Sequence, residues 1–449
     1  MGSIVTVKNE ATIQEKISQS FLDNIHALEE HSEVLLALSG GLDSSVLLHL
    51  LKQTQGKFNF NLKAIHIHHG LNPLADNWLN FCNKKCKSLD INFYSEKVKM
   101  NLDSPLGIEG EARKLRYEAI KKRQKGIVVL GHHQNDQAET LLLQLLRGSG
   151  LKGLAAMPEF DSKRNFWRPL LNIKRDDLAV YAKKNNIQYI EDASNQDMQF
   201  DRNFLRQKVL PLIESRYPAS IETISRSARN IAEGHNLNNL IAIDDSKRIM
   251  PADGTYLSMY GLKKLPKLRA INLIRWWLSE NNILMPNKKN IEELYRQIQH
   301  IKKDASLKLK ISNDESVRVY GDKLFIVKLM INTNVCNLEW SGQEELSLPN
   351  KTRLQFIKTK GEGLSLSKLG LKTLKIQSRI GGEKFKPFSD QPPRSLKYLF
   401  QNANIPPWER NQIPLIFAKK QLVAVPNLGI HYEFQAKEGE MGYQINWLR

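Results

Sequence analysis

Residues 39–45 read Ser39-Gly40-Gly41-Leu42-Asp43-Ser44-Ser45, between an apolar run at 34–38 and a segment of helical character at 46–52. A strand that breaks at two glycines into a helix leaves backbone N–H groups without intrahelical partners. They carry partial positive charge and suit an anion. Gly40 and Gly41 permit a tight turn and close approach of a ligand to the backbone. Ser39, Ser44 and Ser45 add hydroxyl donors, and Asp43 can hold a cation that bridges phosphate oxygens. A plain strand-to-helix turn with Ser or Asp as N-cap is the alternative. The lysine of G-x-x-x-x-G-K-[ST] is missing, so the stretch is not a Walker loop.

Outward from that loop, strands alternate with helices. Apolar spacing predicts a helix over 11–30, and the continuous run 34–38 suits a strand buried on both faces. Strands are expected at 62–68, 91–98 and 126–130, and helices at 75–89, 107–124 and 134–147. This alternation predicts an α/β domain with a doubly wound, mostly parallel sheet. Ligands of such sheets bind beyond the carboxyl ends of the strands. The glycine loop, His68-His69 and His132-His133 all fall there and are expected to converge. Further on come helices at 175–185 and 202–209, an acidic, amide-rich turn between them, and a long polar helix at 219–242. A helical part at 262–281 and short strands at 306–311 and 316–327 follow. The expected division is a catalytic domain, 1–216, a helical linker, 217–246, and two smaller α+β domains, 247–335 and 336–449.

The 449 residues carry a formal net charge of +19 and are 41% hydrophobic. That is enough apolar material for ordinary cores, and the charge points to a polyanionic partner, nucleic acid first. No apolar run approaches the roughly 18 residues of a membrane span, and the N-terminus has no signal-peptide core. Three cysteines argue against a disulfide framework and for a cytoplasmic setting. Cys82 and Cys86 lie four apart in an expected helix, a spacing that suits core or surface thiols better than a redox or metal pair.

Three further stretches carry chemistry. In Gly131-His132-His133-Gln134-Asn135-Asp136-Gln137-Ala138-Glu139, His132 and Asp136 share a helix face, with Glu139 close by. Helix-dipole complementation by the two acids is the plainer account, and a metalloprotease zinc reading fails because no H-E-x-x-H is present. In Glu109-Gly110-Glu111-Ala112-Arg113-Lys114-Leu115-Arg116-Tyr117, Arg113 and Arg116 share a face. That face is either a solvated, salt-bridged one or a guanidinium aimed at phosphate. Residues 192–206 gather Asp192, Asn195, Asp197, Asp201, Arg202, Asn203 and Arg206 within a few turns.

The glycine loop resembles that of the PP-loop ATP pyrophosphatases. Together with HIHHGLN, IEGEARKLRYEAI, GHHQNDQAETLLLQLLRGSGLKGL, RPLL, EDASNQDMQFDRNFLRQKVLPLI, SRIGGEKFKP and the segment 397–430, the chain resembles the tRNA(Ile)-lysidine synthases. The resemblance implies a PP-loop, Rossmann-like catalytic domain. It also implies a reaction in which ATP adenylates the first anticodon cytidine of a CAU-anticodon tRNA(Ile) and free L-lysine displaces AMP. It implies ATP contacts from Ser39, Gly40, Gly41, Leu42, Asp43, Ser44, Ser45, His68 and His132, with Mg²⁺ on Asp43. Asp136 is expected as the base and Arg113 as a cation near the phosphates. Asp192, Asn195, Arg202, Asn203 and Arg206 are expected around lysine or tRNA. Lys384, Lys386, Arg394 and Lys397 would neutralise phosphates, and a homodimer is among the expected partners. The rivals are a sulfur-installing PP-loop enzyme, which needs reactive cysteines, a small-molecule PP-loop ligase, and a non-catalytic RNA-binding scaffold.

Overall fold

A computed structural model describes residues 2–448 apart from 24, 29–31, 71, 102, 106, 193–196, 302–307, 312–314, 329–336, 351, 371 and 372. The chain forms two compact units, Met1–Leu240 and Ile241–Arg449.

The first unit begins with α1 (Gly2–Asp23). It continues through β1 (Glu33–Ala37), α2 (Leu42–Thr54), β2 (Asn61–His68), α3 (Ala75–Ser88), β3 (Asn92–Lys97), α4 (Gly107–Arg123), β4 (Ile127–Val129) and α5 (Gln134–Leu146). After these come α6 (Leu151–Leu154), β5 (Phe160–Asp161), β6 (Phe166–Trp167), α7 (Arg175–Lys184), α8 (Asp201–Phe204), a π-helical turn (Leu205–Val209), α9 (Leu210–Arg216) and α10 (Ser220–Ile249). The sheet order is β3-β2-β1-β4-β6-β5. All pairs are parallel except β5 with β6. The chain leaves β1 for β2 on one side and reaches β4 on the other, so the strand order reverses between β1 and β4. That is where an open α/β sheet has its ligand crevice.

Side-chain alternation along β1 explains the burial. Val34 and Leu36 pack into a core with Phe21 of α1, Val46 and Leu47 of α2, Cys82 of α3 and Tyr181 of α7. Leu35 points to the opposite face, among Ile65, Ile120 of α4, Val128 and Phe166. A strand enclosed on both faces has to be apolar throughout, as 34–38 is. Phe166–Trp167 is a strand that the pattern does not reveal, because two residues carry no periodicity. The expected helix at 202–209 is longer and irregular, running through the π turn into α9.

In the second unit, helices Met259–Lys264, Lys267–Glu280 and Lys288–His300 pack on an antiparallel sheet with the hairpin Glu315–Tyr320 and Lys323–Lys328. The helix expected at 262–281 is broken at Leu265-Pro266, since proline disfavours helix in the residue before it. The expected strand at 316–327 is that hairpin, turning at Gly321. Beyond it, a five-stranded and a four-stranded antiparallel sheet enclose Trp340, whose ring stacks on Phe356 at 4.5 Å. Cys336 lies outside the described residues.

Gly126 abuts the Glu33 carbonyl, where a Cβ would be driven into backbone. Gly126→Ala is therefore expected to destabilise the first unit by about 2–3 kcal/mol, read from urea unfolding.

Candidate active site

The glycine loop leaves β1 at Leu38, whose carbonyl is held 2.9 Å from His66 Nδ1. Gly40 adopts φ +89° and fits against Cys82 Sγ, Phe81 and Ile190, so a side chain there would be both strained and crowded. The Ile190 N–H donates to the Gly40 carbonyl at 2.9 Å. Gly41 is the N-cap of α2, and no side chain caps that helix. The capped-turn alternative therefore does not describe this loop, and no side chain takes up the first N–H groups of α2, which an anion would suit.

The hydroxyls have distinct surroundings. Ser39 is exposed, accepts the Gly41 N–H at 3.3 Å and lies 3.0 Å from Ser44 Oγ. Ser44 donates to the Gly41 carbonyl at 3.1 Å, and Ser45, fully buried, donates to the Gly40 carbonyl at 3.4 Å. Leu42 is buried and anchors the helix start in the core. Asp43 Oδ1 is buried without a hydrogen-bond partner, 3.7 Å from His133 Nε2. Burial pushes its pKa up, opposed by His133 and reinforced by Asp136.

The end of β4 meets this loop backbone to backbone. A Cβ on Gly131 would lie 3.1 Å from Ser44 N and 3.2 Å from the Asp43 carbonyl carbon. At α5, by contrast, the helix caps itself. The His133 N–H donates to Asp136 Oδ2 at 3.0 Å, and the Asp136 N–H donates to His133 Nδ1 at 3.4 Å. His132 is held neutral, its pKa lowered to about 3 by burial, with Arg168, Arg202 and Arg113 adding to the shift against Asp136.

Asp136 and Glu139 then meet two guanidiniums. Arg202 donates to Asp136 Oδ1 at 2.7 Å and to Glu139 Oε2 at 2.6 Å. Arg206 donates to Glu139 at 2.6 and 2.9 Å and to Asp136 Oδ1 at 3.2 Å. Glu139 is 0% exposed. Burial alone would raise the Asp136 pKa, but His133, Arg202 and the His133 N–H hold it well below the usual 3.8.

The other expected residues lie further out. His68 packs 3.3 Å from Asp76 Oδ1 of α3, an acid shared with Lys97 at 3.0 Å. Arg113 is exposed on α4, its guanidinium over the Tyr117 ring. Asp192 accepts from Asn72 at 3.5 Å, and Asn203 donates to the Asp197 carbonyl at 2.9 Å, so both shape the segment before α8. Asn195 lies outside the described residues. Residues that the spacing did not single out as ligands include His133, Glu139, Gly131 and buried Arg168. Glu139 left a signal in its position one turn beyond Asp136, and His133 in its place at the carboxyl end of a strand; Gly131 and Arg168 left none as ligands.

An uncapped helix N-terminus at the switch point, without a Walker lysine, beside a buried carboxylate pair, defines an ATP-binding α/β domain of the PP-loop class. A family model described as a PP-loop domain matches residues 9–213. Models described as the TilS substrate binding domain and the TilS substrate C-terminal domain match 257–325 and 374–447. The tRNA(Ile)-lysidine synthase of Nitrosomonas europaea is 36% identical over 439 residues, covering 96% of this chain and 95% of its own length. That of Coxiella burnetii is 36% identical over 433 residues, covering 95% and 96%. The chain belongs to the tRNA(Ile)-lysidine synthase family. Among solved structures, the U34-tRNA thiolase NcsA from Methanococcus maripaludis with its [4Fe-4S] cluster aligns over 50% of this chain and 80% of that one. Its TM-score is 0.43 and its identity 19%.

Cys82 and Cys86 are fully buried in α3, and burial pushes their thiols up to about 12 and about 11. Neither supplies a thiolate nucleophile near neutral pH. Among the described residues no cluster of three or more metal-binding side chains occurs, and no helix is long and apolar enough to cross a membrane.

Two outcomes follow from the charge cluster. Arg202→Ala leaves Glu139 buried with one guanidinium fewer and is expected to cost about 3 kcal/mol in urea unfolding. Asp136 has a depressed folded-state pKa, so its stabilisation is present above about pH 4 and is lost as pH falls further. Asp136→Asn should flatten the acid limb of the stability–pH curve below about pH 4; an unchanged limb would contradict the ion pairing.

Proposed function

We propose that this chain ligates free L-lysine to the first-anticodon cytidine of the CAU-anticodon tRNA(Ile), forming lysidine and releasing AMP and pyrophosphate. The observation that carries this is the open N-terminus of α2, held by Gly131 against the helix that bears Asp136 and Glu139. A donor set for a nucleotide's phosphates and a carboxylate pair for an amine stand side by side.

Two steps are needed. The oxygen carried by the cytosine ring carbon between the two ring nitrogens attacks the α-phosphorus of ATP, and the bond to pyrophosphate breaks. The ε-nitrogen of lysine then attacks the adenylated ring carbon, and the C–O bond breaks to release AMP. The N–H groups at the start of α2, with Ser39 Oγ, oppose the charge that gathers on the leaving pyrophosphate. Asp43 Oδ1, buried and unpaired, fits a hard divalent cation, which typically takes one or two carboxylates and completes its shell with phosphate and water. Mg²⁺ there would screen the phosphates and polarise the α-phosphorus.

Lysine is a zwitterion with a second ammonium, and the cluster offers both signs. Its amines suit Asp136 and Glu139; its carboxylate suits the guanidiniums of Arg202 and Arg206, which bind carboxylates in bidentate fashion. The attacking amine has to lose a proton, and we assign that proton to Asp136. With both arginines on it, Asp136 is a weak base. Transfer of a guanidinium to the lysine carboxylate raises its basicity when lysine is present. Arg113 supplies a cation toward the adenylate. The basic segments 247–335 and 336–449 bind the tRNA, in keeping with the net charge of +19.

Pyrophosphate release beyond one equivalent per tRNA-bound enzyme, and AMP release, should require lysine and CAU-anticodon tRNA together, and the tRNA digest should contain lysidine by mass spectrometry. Sustained release without tRNA, or no lysidine with all three substrates present, sinks the proposal. Mg²⁺ with ATP should raise the Tm of the wild-type chain. Asp43→Asn should keep the ligand-free Tm while losing that rise, a readout independent of turnover. Asp136→Asn should slow lysidine formation by at least about 100-fold, the usual contribution of a positioned base.

A further inference from the structure

A group of cations beside the site, of which only Arg113 enters the chemistry above, gathers on one aromatic ring. The Tyr117 ring of α4 packs on Phe166 of β6, with centroids 5.3 Å apart. Over the same ring lie two guanidiniums, Arg113 at 5.1 Å and Arg164 at 5.8 Å from the centroid. Arg168 is 2% exposed, donates to the Pro158 carbonyl at 2.8 Å, and leaves its Nε without a partner. Exposed Arg116 follows one turn from Arg113 on α4.

Among the described residues, no carboxylate lies within ion-pair distance of Arg113, Arg116 or Arg168; Arg164 has Asp161 at 3.4 Å. Two like charges gathered on one ring repel each other. The attraction of each for the ring, about 0.5–1 kcal/mol at exposed sites, offsets that only in part. A surplus of guanidinium at one place suits a ligand with several closely spaced negative charges. The group is also continuous with the site, because Arg168 and Arg113 both act on His132.

We propose that Arg113, Tyr117 and Arg164 form a clamp for the RNA phosphodiester backbone next to the nucleotide that enters the site. Arg164, on the turn between β5 and β6, makes the outer contact. Phosphate contacts fix register without reading sequence, so the clamp sets where the chain of nucleotides crosses the mouth of the crevice. The proposal rests on the synthase reading.

The test is tRNA binding by the full chain across a range of salt concentrations. A cation that neutralises one phosphate adds about 0.7–0.9 to the slope of log K against log[salt]. Arg164→Ala, at an exposed position, should lower that slope by about 1 and weaken binding. Arg164→Glu should weaken binding further, and Arg164→Lys should restore the slope. Lys183→Ala, an exposed change on α7, should leave the slope alone. An Arg164→Ala slope equal to that of the parent, with parental affinity, overturns the clamp. Parent protein that fails to make lysidine overturns the synthase reading instead, so the two failures are separable. Unchanged thermal unfolding of Arg164→Ala ensures that a lost slope reports RNA contact rather than damage to the fold.

Discussion

The approach of Gly131 to the start of α2 is the constraint on which the site depends. Peptide backbone meets peptide backbone there, and a methyl group would crowd Ser44 N at 3.1 Å and the Asp43 carbonyl carbon at 3.2 Å. It brings the carboxyl ends of β1 and β4 together at the reversal of strand order, and with them two helix N-termini. The two are treated differently. α2 is left without a side-chain cap, while α5 is closed by its own Asp136 and His133. An anion is thereby directed to one helix and kept from the other. The carboxylate that closes α5 stays within reach of whatever the open helix holds.

The charges around that crevice are arranged by burial. Burial raises the pKa of Asp43, whereas that of Asp136 is held down by His133 and Arg202. Two acids a few ångströms from one histidine thus have opposite tendencies, which is how one site can hold both a cation and an amine. In the second unit the same residue types do structural work. The rings of Tyr256, Phe325, Trp408 and Tyr320 run in sequence at 5.7, 5.6 and 6.4 Å, and buried Arg410 donates to the Tyr320 hydroxyl at 3.2 Å. This ties the hairpin at 315–328 to the Pro406-Pro407 segment, so the regions matched by the two substrate-domain models share one compact unit.

Much of this was legible in the chain. The apolar run at 34–38 states a strand enclosed on both faces, and the glycines after it state a turn that faces a ligand. Arg202 and Arg206 are candidates through the family resemblance, since their stretch alone reads as a loop and an N-capped helix, and Asp136 is one on its own account. That these residues pair with one another and with Glu139 was not legible. A glutamate one turn beyond Asp136 looks like any helix acid until tertiary packing brings α8 against α5. Asp192 and Asn203 stand in the same stretch as the arginines; Asp192 accepts from Asn72, and Asn203 donates to the Asp197 carbonyl ahead of α8. Phe166–Trp167 escaped notice because two residues have no period, and the break at Leu265-Pro266 lay inside otherwise unbroken helical spacing.

The π turn at Leu205–Val209 is set by Pro211, which has no N–H for the Gln207 carbonyl; the Leu210 N–H bonds Leu205 instead, five residues back. Such a turn holds one residue more than an α-helix of the same rise. Arg206 lies inside the turn and Arg202 just before it, so the extra residue sets the angular offset at which the two guanidiniums meet Asp136 and Glu139.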